Sequence, residues 1–303
     1  MSTVARRPRA LALGRSSEAF RWAAVAALVA LFLVVVTGAT VRLTGSGLGC
    51  ENWPRCGETV FPEKDFHAYV EFGNRIVGFA VGLTALLAAG AAWRAGARGS
   101  LFAAALGLPF LVLAQGILGG ITVMFELHPL IVMGHFLLSL VAVALALVVL
   151  LGAHRLARGR GEPAAVPRWV RRLALALLPL ALVVVVTGAF VTAAGPHSGG
   201  EDIKRIGDLE DAIYVHVRAT AVFGVAFLVL VAALLRRRAN ARVASGIAVA
   251  VLTLLVLQMV VGEIQWRNQL PWLLVLAHVV LATAVWGGMV TLAALLRSGA
   301  RAS

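Results

Sequence analysis

The sequence predicts an all-α integral membrane protein of eight transmembrane helices, arranged as two parallel, pseudo-twofold-related four-helix bundles. Three observations predict it. The 303-residue chain is 60% apolar and only 14% charged, whereas a soluble domain of this size needs a charged exterior. The apolar residues fall into eight runs, 22–41, 70–92, 101–124, 129–151, 172–193, 212–235, 244–262 and 271–296, each close to the roughly 20 helical residues that cross a hydrocarbon core. Finally, the chain repeats itself. The runs use up nearly the whole sequence, so the chemistry is expected inside the bundle or in its short loops.

A basic segment, 1–21, precedes run one and is read as a cytoplasmic tail. Run one is not taken as a cleaved leader, because part of it recurs: Val-Val-Val-Thr-Gly-Ala occupies 34–39 and again 184–189, near the ends of runs one and five. The N-terminal half then spans 22–153, a cytoplasmic linker 154–172 and the C-terminal half 173–303. Gln115, Gly119 and His135 in runs three and four match Gln258, Gly262 and His278 in runs seven and eight, all at an offset of 143. Pro129 and Pro271 open the two histidine-bearing helices. An even number of helices per half means that both halves enter the membrane in the same direction, with the pseudo-twofold axis along the membrane normal.

The loop after run one, 42–69, carries both cysteines, Cys50 and Cys56. Two cysteines alone do not complete a four-ligand zinc site. On the oxidising side of a membrane they read as a disulfide, with two free thiols as the alternative. The third outer loop, 194–211, is polar and lacks cysteine.

The helix that contains run two reads H-A-Y-V-E-F-G-N-R from His67, which puts His67, Glu71 and Asn74 on one helical face with Arg75 adjacent. Glu71 and Arg75 read either as a structural ion pair or as a carboxylate facing a reacting group that Arg75 helps to orient. Polar and ionisable side chains inside a membrane are costly and mark functional sites. Asn74, His135, His216 and His278 fall at comparable depths on the four even-numbered runs. His216 and His278 then form an opposed pair in the second half, the arrangement of a low-spin haem site in a helical bundle. His67 reads as an entrance residue and His128 as interfacial, while His154 and His197 are placed in loops. Arg42, Arg218 and Arg267 sit at the outer boundary, suited to carboxylates of a cofactor or to interfacial anchoring.

The net charge of +13 does not indicate a nucleic-acid partner. Of the 27 basic residues, 19 lie in five clusters: Arg6 to Arg21, Arg94 with Arg98, Arg155 to Arg172, Arg236 to Arg242, and Arg297 with Arg301. In an eight-pass chain all five fall on one side, which the positive-inside rule makes cytoplasmic, together with both termini. The lipid bilayer is the partner that this distribution fits.

The loop T-G-S-G-L-G-C-E-N-W-P-R-C-G, from Thr44 to Gly57, with E-F-G-N-R and histidines on helices 4, 6 and 8, resembles the haem A synthase family, the bacterial CtaA and mitochondrial Cox15 proteins. The resemblance covers all eight helices. It implies a haem-dependent oxidoreductase of the cell membrane that oxidises a ring methyl of haem O to a formyl group in two hydroxylations, giving haem A for cytochrome oxidase. It further implies haem b on His216 and His278, haem O as substrate near His135, catalytic roles for Glu71 and Arg75, and a Cys50–Cys56 disulfide. Haem O synthase (protohaem farnesyltransferase) and the cytochrome oxidase assembly machinery become the expected partners, and a homo-oligomer is allowed. Many members carry histidine where this chain has Asn74, which leaves His135 as the strong ligand of the N-terminal iron. A dihaem quinol-linked cytochrome and a membrane haem carrier are the competing readings.

Overall fold

The computed structural model describes residues 6–50, 53, 55–57, 61–62, 65–159, 166–197, 199 and 203–298, with side chains between residues 14 and 297. Glu51, Asn52 and Pro54 of the loop motif, and Arg160 and Arg301 of the basic clusters, lie outside the described residues. The eight apolar runs become eight helices: α1 (Arg6–Leu43), α2 (Phe66–Arg94), α3 (Gly99–Met124), α4 (Pro129–Arg158), α5 (Arg168–Ala194), α6 (Leu209–Leu235), α7 (Arg242–Arg267) and α8 (Trp272–Ser298). All eight are long and apolar enough to cross a membrane, and the chain is a multi-pass membrane protein.

The helices run further than the apolar runs because solvated ends carry the polar residues. α1 starts at Arg6, so most of the basic segment is helical. Its early turns are tied to the end of α4: Glu18 pairs with Arg21 at 2.8 Å and with Arg158 at 2.7 Å. His154, expected in a loop, lies inside α4. Helices α2 and α6 start on aspartates whose carboxylates accept from the backbone, Asp65 from Ala68 N–H and Asp208 from Asp211 N–H, a standard capping arrangement.

Each half closes in the same order. In the first, α1 packs on α2 and α4, and α3 fills the remaining side between them; in the second, α5, α6, α7 and α8 repeat these neighbours. The halves meet chiefly through α8, which touches α1 and α4, and through a smaller α4–α5 contact. Trp286 on α8 donates its indole N–H to the Leu140 carbonyl of α4 at 2.9 Å. The turns repeat as well. Between α3 and α4, Glu126 and Leu127 take φ of 49° and 57°; between α7 and α8, Gln269 and Leu270 take 62° and 59°. Both turns close by equivalent bonds, Leu127 N–H to Thr122 O and Leu270 N–H to Gln265 O. Left-handed backbone is uncommon for residues with a side chain, so its recurrence in two turns is a specific sign of one motif used twice.

Packing differs between the halves. The first is built largely on small residues, with Ala27, Val81, Ala85, Ala88, Ala142 and Ala146 buried together, which lets membrane helices approach closely. The second buries larger groups, including Phe223, Phe227, Leu230, Met289 and Leu292, with the Phe223 and Phe227 rings stacked. At the disulfide end, the halves are laced through main-chain groups. Arg42 at the end of α1 donates to the carbonyls of Thr192 and His197, both at 3.1 Å. His197 bonds through its ring to the Leu270 carbonyl at 2.7 Å.

Candidate functional site

His216 and His278 face each other in the second half. Their ring centroids are 6.4 Å apart and their planes inclined by 69°. Two imidazoles bound through one nitrogen each, at about 2 Å from a shared metal, place their ring centres roughly 6 Å apart. The pair therefore has a separation at which both imidazoles would hold one haem iron.

For His216 the surrounding bonds select the nitrogen that the ring offers. Thr187 on α5 lies 2.9 Å from both the Val183 and the Val184 carbonyls, so its hydroxyl proton goes to the backbone. Its oxygen, 3.0 Å from His216 Nδ1, then accepts from that ring. With Nδ1 protonated, Nε2 keeps its lone pair, the state needed for metal binding. On α8, the Gln258 amide lies 3.3 Å from His278 Nε2 and donates to it, so that nitrogen is unprotonated and its lone pair is engaged by Gln258. Buried polar atoms are almost always paired, yet His135 Nδ1, His278 Nδ1, Gln115 Oε1 and Gln258 Oε1 have no hydrogen-bond partner among the described residues. Among the described residues, these are four of the five such atoms, the fifth being Gln265 Oε1.

Glycines make the room. A Cβ at Gly188 would come within 3.0 Å of the His216 ring, and one at Gly262 within 3.3 Å of the His278 ring. In the first half, a Cβ at Gly119 would come within 3.3 Å of His135, and one at Gly38 within 3.7 Å of the Asn74 amide. Every odd-numbered helix thus sets a glycine against the polar residue of the next helix. Thr37 and Thr187, Gly38 and Gly188, and Ser139, which accepts from Gln115, were missed as site residues by sequence reasoning. The signal was there, because Thr-Gly is the end of the repeated hexapeptide.

Glu71 and Arg75 meet, but on the disulfide loop. Glu71 is buried; its Oε2 accepts from the Cys50 N–H at 2.9 Å and its Oε1 from Arg75 at 2.5 Å. Arg75 also donates to the Arg55 carbonyl at 2.8 Å. Cys50 and Cys56 are joined in a disulfide, so the ion pair holds both ends of the closed loop. Gly49 lets the loop backbone lie directly on α2: a Cβ there would sit 2.4 Å from His67 backbone atoms. Trp53 lies on Gly120, one residue from the glycine that accommodates His135. The exposed His67 bonds Ser46 at 2.9 Å. Arg218 stacks on Tyr214 and Arg267 pairs with Glu263, while Arg42 is spent on the carbonyls named above.

Known proteins resemble this chain over most of its length. The family model described as cytochrome oxidase assembly protein (COX15-CtaA) matches residues 21–290. A heme A synthase of Symbiobacterium thermophilum is 31% identical over 294 residues, covering 89% of this chain and 93% of the relative. A heme A synthase of Bacillus licheniformis is 30% identical over 179 residues, 58% of this chain and 59% of the relative. One of Geobacillus kaustophilus is 33% identical over 138 residues, 44% and 43% of the two chains. The match thus spans about half the length of the last two relatives.

Proposed function

From its membership of the COX15-CtaA family of cytochrome oxidase assembly proteins, we propose that this chain is a haem A synthase, oxidising a ring methyl of haem O to the formyl group of haem A in two hydroxylations. The observation that carries this reading is the opposed pair His216 and His278, at haem-spanning separation and with the tautomer of His216 set by Thr187. That pair would hold haem b, which supplies reversible one-electron chemistry. His135 would hold the substrate haem in the first half. The two four-helix halves, 22–153 and 173–303, serve these two roles around a pseudo-twofold axis, with both termini and the linker cytoplasmic.

Glu71 and Arg75 act in this reading as a positioning pair. Both carboxylate oxygens are engaged, so the pair works by fixing the disulfide loop, with Trp53 against Gly120, over the end of α3 beside His135. A loop held in this way excludes water and fixes the edge of the site. Haem O synthase would deliver the substrate, and the cytochrome oxidase assembly machinery would receive the product.

The test is the mass of non-covalent haem extracted from membranes that express this chain together with a haem O synthase. Haem A, or its hydroxylated intermediate, is expected only with the intact chain. Haem b with unaltered haem O, from folded protein, would reject the synthase reading.

A further inference from the structure

We infer that the first half would offer a haem iron a single protein ligand, His135, and that Thr37 holds Asn74 as a hydrogen-bond donor at the place where the second half has its other imidazole. This rests on the proposed reading of the first half as a haem site, and it concerns what distinguishes that site from the second one.

The placement follows from the internal repeat. On α5, Thr187 and Gly188 contact His216 of α6; on α1, Thr37 and Gly38 contact Asn74 of α2. On α7, Gln258 and Gly262 contact His278 of α8; on α3, Gln115 and Gly119 contact the backbone and ring of His135 of α4. His216 and His278 are the eighth and seventh residues of their helices, while Asn74 and His135 are the ninth and seventh of theirs. Since His216 faces His278, the same frame makes Asn74 the counterpart of His135.

The chemistry at the two threonines runs in opposite directions. Thr187 gives its proton to its own helix and accepts from His216. Thr37 has its nearest backbone carbonyl, that of Val34, at 3.3 Å, but Asn74 Oδ1 at 2.7 Å, so it donates to the carboxamide. One of the two lone pairs of the Asn74 carbonyl oxygen is thereby engaged. Its NH2 donates and does not ligate. Imidazole suits iron; a hydrogen-bonded carboxamide does not compete with it. The position therefore leaves the coordination sphere open and supplies a polar contact for a small ligand entering it. Gly38 leaves space beside the amide, as Gly188 does beside His216, so histidine at position 74 is sterically admissible.

Carbon monoxide tests this on the purified full-length chain with its haem, reduced with dithionite. Wild type is expected to show one CO-reactive haem beside one low-spin, CO-unreactive haem. His135→Ala should remove the CO-reactive haem alone. Asn74→His should convert it to a low-spin form with CO affinity lower by at least about tenfold, the remaining low-spin haem reporting that the variant is folded. Thr37→Val should keep CO binding but shift the C–O stretching frequency, because the amide loses its fixed orientation. Two low-spin, CO-unreactive haems in wild type, or unchanged CO affinity in Asn74→His, would overturn the inference and leave the haem assignments standing. A haem content indifferent to His135→Ala would overturn the underlying reading, and an unchanged C–O stretch in Thr37→Val would remove the role of Thr37.

Discussion

The two halves use one frame for two different ends. Both close in the same helix order, both turn with a left-handed pair of residues, and both set Thr-Gly and Gln-x-x-x-Gly against the next helix. The second half completes the frame with two imidazoles and a core of Phe and Leu. The first half puts Asn74 in one of those places, packs on alanine and adds a disulfide loop clamped by Glu71 and Arg75. An electron-transferring haem gains from two fixed ligands, because a closed coordination sphere changes little on reduction. A haem that enters and leaves as substrate gains from fewer bonds to break. On the proposed reading, the difference between the halves teaches that the repeat supplies positions, and that residue choice at each position would separate a resident group from a transient one.

The largest effect that would break this comparison is at His278. His278→Ala removes one of the two opposed ligands, and the low-spin haem spectrum of the purified protein should disappear; an unchanged spectrum would dismiss the second-half site. Next is Glu71→Gln. Breaking a buried ion pair from one side costs about 3–5 kcal/mol locally, because the partner charge stays behind. Haem bound by the second half should be retained, while haem A yield falls at least about tenfold and Cys50–Cys56 becomes more open to reductants. Loss of yield with an unaltered disulfide reduction rate would show that Glu71 does not act through the loop.

Much of this was legible beforehand, for identifiable reasons. Eight apolar runs are a direct consequence of bilayer thickness, and all eight became helices. The pairing of His216 with His278 followed from depth along even-numbered helices, and the rings do face each other. Bonds to the backbone were not legible. The grip of Glu71 on the Cys50 N–H and of Arg75 on the Arg55 carbonyl depends on how a loop lies on a helix, and periodicity carries no trace of that. The same holds for Arg42, which reaches main-chain carbonyls of the other half. The left-handed turns were hidden because Glu126, Leu127, Gln269 and Leu270 lack the glycine by which such turns are usually recognised.

A third, smaller effect sharpens the role of the loop without touching a charged group. Gly49→Val places side-chain atoms where the His67 backbone already lies, with even the first carbon at 2.4 Å. Backbone cannot yield as a flexible side chain does, so the loop must lift from α2. Reduction of the disulfide by dithiothreitol should accelerate several-fold, and haem A yield should fall together with it, while haem on His216 and His278 stays. A yield that falls with an unchanged reduction rate would separate the loop position from the clamp.

The smallest effect distinguishes the two threonines. Thr187→Val keeps the shape of the side chain but removes the oxygen that accepts from His216 Nδ1–H. The ring then loses the partner that fixes its tautomer and orientation, a loss that elsewhere costs about 10- to 100-fold in metal affinity. Here the second ligand, His278, is unchanged, so the expected loss of second-half haem affinity lies at the lower limit, about tenfold, with the low-spin spectrum preserved. Thr37→Val should leave that haem untouched, since its hydroxyl serves Asn74 in the other half. Measuring haem retention of both variants under the same detergent wash compares the halves directly: equal losses would mean that the threonines stabilise the bundle as a whole, and a loss confined to Thr187→Val would tie that residue to the imidazole it holds.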